Sequence, residues 1–199
     1  PLEGNLTARR ARTAGLSPEL LAALQHAPEG DCVSWGIPFS IGKPVLVAGK
    51  PMSLELEALC AQWLVFQHTS DLRRPAEAEA EPWLPRGEGR LAEKAATYVL
   101  VYEDGTETAI PILRRHHVGM FQRRWGENCF QAVAHRKPRP VAPPHEQLGP
   151  WWGQAQTRVS SPDEGRWVNW LFAWQNPEPD KPLAAIRLEP GVGAVLLFG

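Results

Sequence analysis

The sequence lacks a net charge, a membrane-length apolar run, a cysteine framework and nearly all tyrosine. Twenty-one Lys and Arg face twenty-two Asp and Glu, for a net charge of -1. Bulk attraction to a polyanion is therefore absent. No apolar run approaches the roughly 18 residues of a membrane-spanning helix. The three cysteines, Cys32, Cys60 and Cys129, are odd in number. Their spacing matches no zinc-ribbon, redox or disulfide pattern, so they read as packed or idle thiols and lean towards a reducing compartment such as the cytoplasm. There is no G-x-G-x-x-G, no Walker loop and no G-x-S-x-G nucleophile elbow. No cofactor follows from the sequence.

What is present is unusual in another way. Twenty prolines and seventeen glycines among 199 residues are about half as many again as the usual share of about 12%. Nine tryptophans accompany two tyrosines. Frequent chain breakers with a heavy aromatic load favour short strands around a bulky core.

The local patterns agree. Residues 1–15, with Arg9, Arg10 and Arg12, show no period and read as an arm or linker ahead of one domain over 16–199. Ser17-Pro18-Glu19 is a helix start, with an N-cap, proline at the first helical position and an acid favourable to the helix dipole. Leu20, Leu21 and Leu24 form its apolar stripe, and the helix ends near Ala27-Pro28. VSWGIPFSI reads as an edge strand bulged at Gly36 and Pro38. Alternating Leu54 and Leu56 and the run CAQWLVFQH read as strands, against a competing helix over 54–62. Residues 72–92 form an acidic, proline-broken exposed loop.

In TYVLVYEDGTETAIPI, Tyr98, Leu100 and Tyr102 share one face. Asp104-Gly105 fits the two positive-φ positions of a type I′ turn, which predicts a hairpin. In WVNWLFAWQ, Val168, Trp170, Phe172 and Trp174 face one way and Trp167, Asn169, Leu171 and Ala173 the other. NPEPDKP is a rigid turn, and LAAIRLEP and GVGAVLLFG are closing strands. Eight to ten strands and one short N-terminal helix make an all-β chain, a β-sandwich of jelly-roll type.

The order WGIPFSI, LVFQHTSD, YVLVYEDGTETAIPI, RRHHVGMFQRRW and WVNWLFAWQNPEPDKPLAAIRLEP resembles the galactose-binding-domain-like β-sandwich modules of bacterial multidomain proteins. Such modules accompany carbohydrate-active enzymes and PHP-type metal-dependent hydrolases. The resemblance spans 32–198 and implies an accessory role: binding sugar, packing on a catalytic domain, or both. It implies no catalytic residue. The acidic insertion before Thr97 and the arginine density around His116 depart from it.

The candidate residues follow from chemistry. Flat indole faces stack on sugar C–H groups, and Trp151, Trp152, Trp83 and Trp125 lie in polar, loop-like surroundings. Trp63, Trp170 and Trp174 are expected in the core. Residues 114–139 hold seven cations and one acid, Glu127, with Phe121, Trp125 and Phe130 interleaved. Arg114, Arg115, Arg123 and Arg124 could therefore face an anionic ligand such as an acidic polysaccharide or, less favoured, nucleic acid; the competing account is neutralisation of the Glu-rich loop. Adjacent His116 and His117 on a strand face opposite ways, and a His-x-His motif with a downstream Glu is missing. A metal-dependent hydrolase or lyase using His116, His117 or His135 is thus the alternative, with a solvated rim loop as the plainer expectation. Contiguous His68-Thr69-Ser70-Asp71 cannot form a triad; His68 is expected to end a core strand, its ring bonded to backbone. The leading expectation is a non-catalytic module whose partner is carbohydrate or a neighbouring catalytic domain.

Overall fold

A computed structural model describes residues 4–73, 89–122, 128–135 and 166–199. Two short helices come first, α1 (Ala8–Thr13) and α2 (Pro18–Ala23), the latter continued by a 3₁₀ turn over Leu24–His26. Eleven strands follow among the described residues: β1 (Gly30–Ser34), β2 (Ile37–Ile41), β3 (Val45–Val47), β4 (Met52–Leu59), β5 (Trp63–Ser70), β6 (Lys94–Tyr102), β7 (Glu107–Leu113), β8 (Ala132–Ala134), β9 (Trp170–Gln175), β10 (Leu183–Pro190) and β11 (Val195–Leu197). They form an antiparallel sandwich with a four-stranded sheet, β4-β10-β6-β7, and a five-stranded sheet, β3-β11-β5-β9-β8. The pairs nest: β3 with β11, β4 with β10, β5 with β9 and β6 with β7. The β1–β2 hairpin pairs only with itself among the described residues.

The alternation of side chains decides the packing. Tyr98, Leu100 and Tyr102 of β6 meet Phe66 of β5, Trp170 and Phe172 of β9 and Val195 and Leu197 of β11 in one buried cluster. The Phe66 and Tyr98 rings are 5.1 Å apart, edge to face. The opposite side of the four-stranded sheet is ionic. Arg187 reaches across β6 to hold both carboxylate oxygens of Glu107 at 2.7 and 2.8 Å and also bonds Glu189. The five-stranded sheet is covered on both sides. Leu46, Leu196 and Phe198 on its outer side pack with Ala11, Leu20 and Ala23 of the helices and Ile41 of the hairpin.

The Ser17 hydroxyl accepts from the Leu20 N–H at 3.1 Å, so the helix start is the expected one. Three expectations are corrected. Residues 8–13 form α1, because Thr7 caps it and Ala11 is buried in the outer cluster. VSWGIPFSI is two strands, not one bulged strand: Trp35 and Gly36 both take positive φ, 54° and 82°, the type I′ turn geometry, with Ser34 opposite Ile37. Conversely, the β6–β7 turn has positive φ only at Gly105. Its N–H donates to the Tyr102 carbonyl at 2.9 Å, and Tyr102 N–H donates to the Thr106 carbonyl. That is a three-residue loop, a type I turn closed by a glycine bulge. The Asp104 carboxylate caps the Thr106 N–H at 2.9 Å and pairs with Lys181 at 2.8 Å.

Candidate functional site

The basic segment begins in the interior. Arg114 is 1% exposed, which corrects its assignment to a ligand-facing surface. Its Nε lies 3.2 Å from Glu93 Oε2, without the alignment of a hydrogen bond, and its two terminal nitrogens donate to the carbonyls of Asp71 and Val192. Arg73 bonds the other Glu93 oxygen at 3.3 Å. Here a cation of the basic segment neutralises an acid bordering the Glu-rich stretch, and its role is to tie three chain segments together. Burial pulls the guanidinium pKa down while Glu93 opposes the shift. Arg115 occupies the next turn at φ 64°, partly exposed, with its carbonyl accepting from Phe130 N–H. Trp83, Trp125, Arg123, Arg124, Trp151 and Trp152 lie outside the described residues.

The histidines are built into the packing. His68 is fully buried; its Nε2–H donates to the His117 carbonyl and its Nδ1 accepts from the Tyr98 hydroxyl, both at 2.9 Å. Burial lowers its pKa to about 4 and raises that of Tyr98. Asp71 accepts from Ser17 N–H at 2.7 Å and from the Ser17 hydroxyl, so this carboxylate anchors α2. His117 is not a solvated rim residue: its ring stacks on Phe172 at 4.4 Å, its Nδ1 accepts from the Leu113 N–H at 3.2 Å and its Nε2–H donates to Gln131 Oε1 at 2.7 Å. Burial lowers its pKa as well. His116 lies against the Phe130 ring, and His135 Nδ1 accepts from Asn169 N–H. Among the described residues no three His, Cys, Asp or Glu side chains gather as a metal site.

The tryptophans divide differently from expectation. Trp170 is buried, its Nε1–H on the Met120 carbonyl at 2.9 Å, and Trp174 packs at the core margin. Trp63, expected in the core, is 53% exposed. It begins β5 opposite Gln175, on the outer side of the sheet and at the far end from the helices. Trp35 was not singled out by the sequence. It is 49% exposed at the tip of the β1–β2 hairpin, and its Nε1–H donates to the Ala134 carbonyl of β8 at 2.6 Å. Val33 and Ile37 on the hairpin, Val133 on β8 and Phe130 just ahead of β8 add exposed apolar surface, Val33 and Phe130 most of all at 70% and 73%.

The hairpin's course marks out the region beneath it. Ile41 packs with Leu46 and Leu196 at one side of the five-stranded sheet. Phe39 lies against Gly199, whose carbonyl takes the Gln67 N–H. Trp35 reaches β8 at the other side. The hairpin therefore crosses the outer face from β3 to β8. On that face Gln67 is fully buried with neither amide atom hydrogen-bonded, and Asn169 Nδ2 is also without a partner. Asn169 Oδ1 accepts from Trp167 Nε1–H at 2.7 Å. Gln67 is paired with Leu171, two residues from Asn169 and opposite Val133. Parity places Gln67, Thr69, Asn169, Leu171 and Val133 on one side of the sheet.

Among the described residues no helix is long and apolar enough to cross a membrane. Comparison with family models, curated proteins and solved structures finds no match.

Proposed function

We propose that the chain is a non-catalytic accessory module of the galactose-binding-like kind that binds carbohydrate, with Trp35 as its stacking platform. The nested strand pairing supports a jelly-roll form of the sandwich. One observation carries the reading: a half-exposed indole held at φ 54°, where an aromatic side chain is strained, and fixed through its N–H to Ala134. A type I′ turn favours Asn or Gly at that position, so tryptophan there costs stability, and a sugar-stacking role accounts for it. A glycan panel read by calorimetry tests the reading. Trp35→Ala should weaken binding about tenfold or more, equivalent to the loss of about 1.4 kcal/mol of ring contact. Absence of binding to every glycan at millimolar concentration contradicts it.

A second reading, packing against a neighbouring catalytic domain of a hydrolase, is favoured by the exposure of Val33 and Phe130. Exposed large apolar side chains suit a protein partner. In that case Val33→Ser should weaken association with the domain and leave glycan binding untouched.

A further inference from the structure

The turn that follows β7 is built around His117. The Leu113 carbonyl accepts from three successive N–H groups, those of His116, His117 and Val118. Arg115 holds φ 64° in the same turn. Its carbonyl takes the Phe130 N–H at 3.0 Å, and the His116 carbonyl takes the Gln131 N–H at 2.9 Å. The turn therefore carries Phe130, which is 73% exposed. The two nitrogens of the His117 ring meet different demands. Nε2–H donates to Gln131 Oε1 at 2.7 Å. Nδ1 has two neighbours of opposite kind, the Leu113 N–H at 3.2 Å and the Pro111 carbonyl at 2.8 Å. A neutral ring with its proton on Nε2 serves Leu113 alone, and a ring protonated on both nitrogens serves Pro111 alone. The ring face stacks on Phe172, a contact that suits a cation as well as a neutral imidazole.

We propose that His117 is a proton-operated switch at the root of the Phe130 surface. The neutral ring holds the Leu113 N–H through Nδ1. The protonated ring releases it and donates Nδ1–H to the Pro111 carbonyl, keeping its Nε2–H on Gln131. The step takes one proton from water and breaks no covalent bond. Releasing Leu113 loosens the turn whose carbonyls hold Phe130 and Gln131, so the proton's effect reaches the exposed ring. Burial is the main cause that lowers the His117 pKa; the Gln131 and Pro111 bonds oppose it, and His116 adds to it. The neutral arrangement is therefore complete at neutral pH and is given up on the acid side. The titratable groups bearing on the ring are His116 on its own turn and His68 on β5, and no carboxylate does so among the described residues. From β7, β9 and the segment entering β8 it meets Pro111, Leu113, Phe172 and Gln131, none of which titrates. His68 responds separately, near pH 4. The switch operates whether the module takes sugar or packs on a neighbouring domain.

Nitrogen-15 NMR of the whole chain, titrated from pH 7 to 5, tests the switch. At pH 7 the His117 ring should carry its proton on Nε2, with Nδ1 bare. As Nδ1 gains a proton, the Leu113 amide should lose hydrogen-exchange protection about tenfold with the same midpoint. The Phe130 and Gln131 amide resonances should move with that midpoint too. His117→Gln should abolish these pH-dependent changes, and His116→Gln should leave them in place. Should His117→Gln fail to fold, the wild-type titration set beside His116→Gln still decides. A proton on Nδ1 already at pH 7 overturns the proposal. So does Leu113 protection that ignores the His117 titration or follows His116 instead.

Discussion

The two faces of the five-stranded sheet differ in how completely they are satisfied. On the inner face, among the described residues, the buried polar side chains have partners: His68 bonds Tyr98 and the His117 carbonyl, and Trp170 bonds the Met120 carbonyl. On the outer face the helix end has Asp71 on Ser17 and Trp167 on Asn169, with Asn169 Nδ2 left without a partner. The hairpin end is less satisfied: Gln67 is buried without a partner, and at the hairpin tip Trp35 holds a strained backbone. Strain and polar mismatch concentrated in one place are the mark of a surface shaped for binding more than for stability. The inner face holds the fold together, and the proposed recognition surface lies at the hairpin end of the outer face.

Substitution should expose that contrast, most sharply on the inner face. Trp170→Ala empties a fully packed site and strands the Met120 carbonyl, so it should cost about 3–5 kcal/mol by chemical denaturation. Acid should act next. His68 is held neutral, with its pKa lowered to about 4 from the usual 6.5. Its contribution is whole above pH 6.5 and is lost as pH falls towards 4, while the unfolded chain takes up the proton. The loss should approach about 3 kcal/mol, at roughly 1.4 kcal/mol per pH unit. A melting curve followed from pH 7 to 4 checks it, and His68→Gln should flatten the dependence. Arg114→Met leaves Glu93, among the described residues, with Arg73 as its counter-charge and should cost about 3 kcal/mol, recovered in part by adding Glu93→Gln. The smallest stability change belongs to the outer face. Trp35→Ala should alter unfolding by less than about 1 kcal/mol while weakening sugar binding at least about tenfold.

How far these features could be read in the sequence depended on whether a local pattern or a distant partner created them. The strand faces of Tyr98-Leu100-Tyr102 and Val168-Trp170-Phe172 follow from alternation and stand in the structure. So does the Ser17 cap, a matter of three neighbouring residues. The β1–β2 turn was hidden because Trp-Gly is a rare choice for a type I′ turn, and Asp104-Gly105 misled because its glycine serves a longer loop. Arg114 looked like surface charge because its partners Glu93, Asp71 and Val192 are distant in sequence. Trp63 sits at the correct alternation for the outer face, but the cover over that face does not extend to it. The candidate site was the least legible part. Trp35 and Ala134 have no shared motif, and only the hairpin's path across the sheet brings them together.

The central claim is that the hairpin end of the outer face recognises sugar through Trp35. Calorimetry of wild type and Trp35→Ala side by side against the glycan panel tests it most directly. The account predicts millimolar or tighter binding by wild type and at least a tenfold loss in the variant, with superimposable unfolding curves. Equal affinity in the two proteins, or no binding by either, would contradict it.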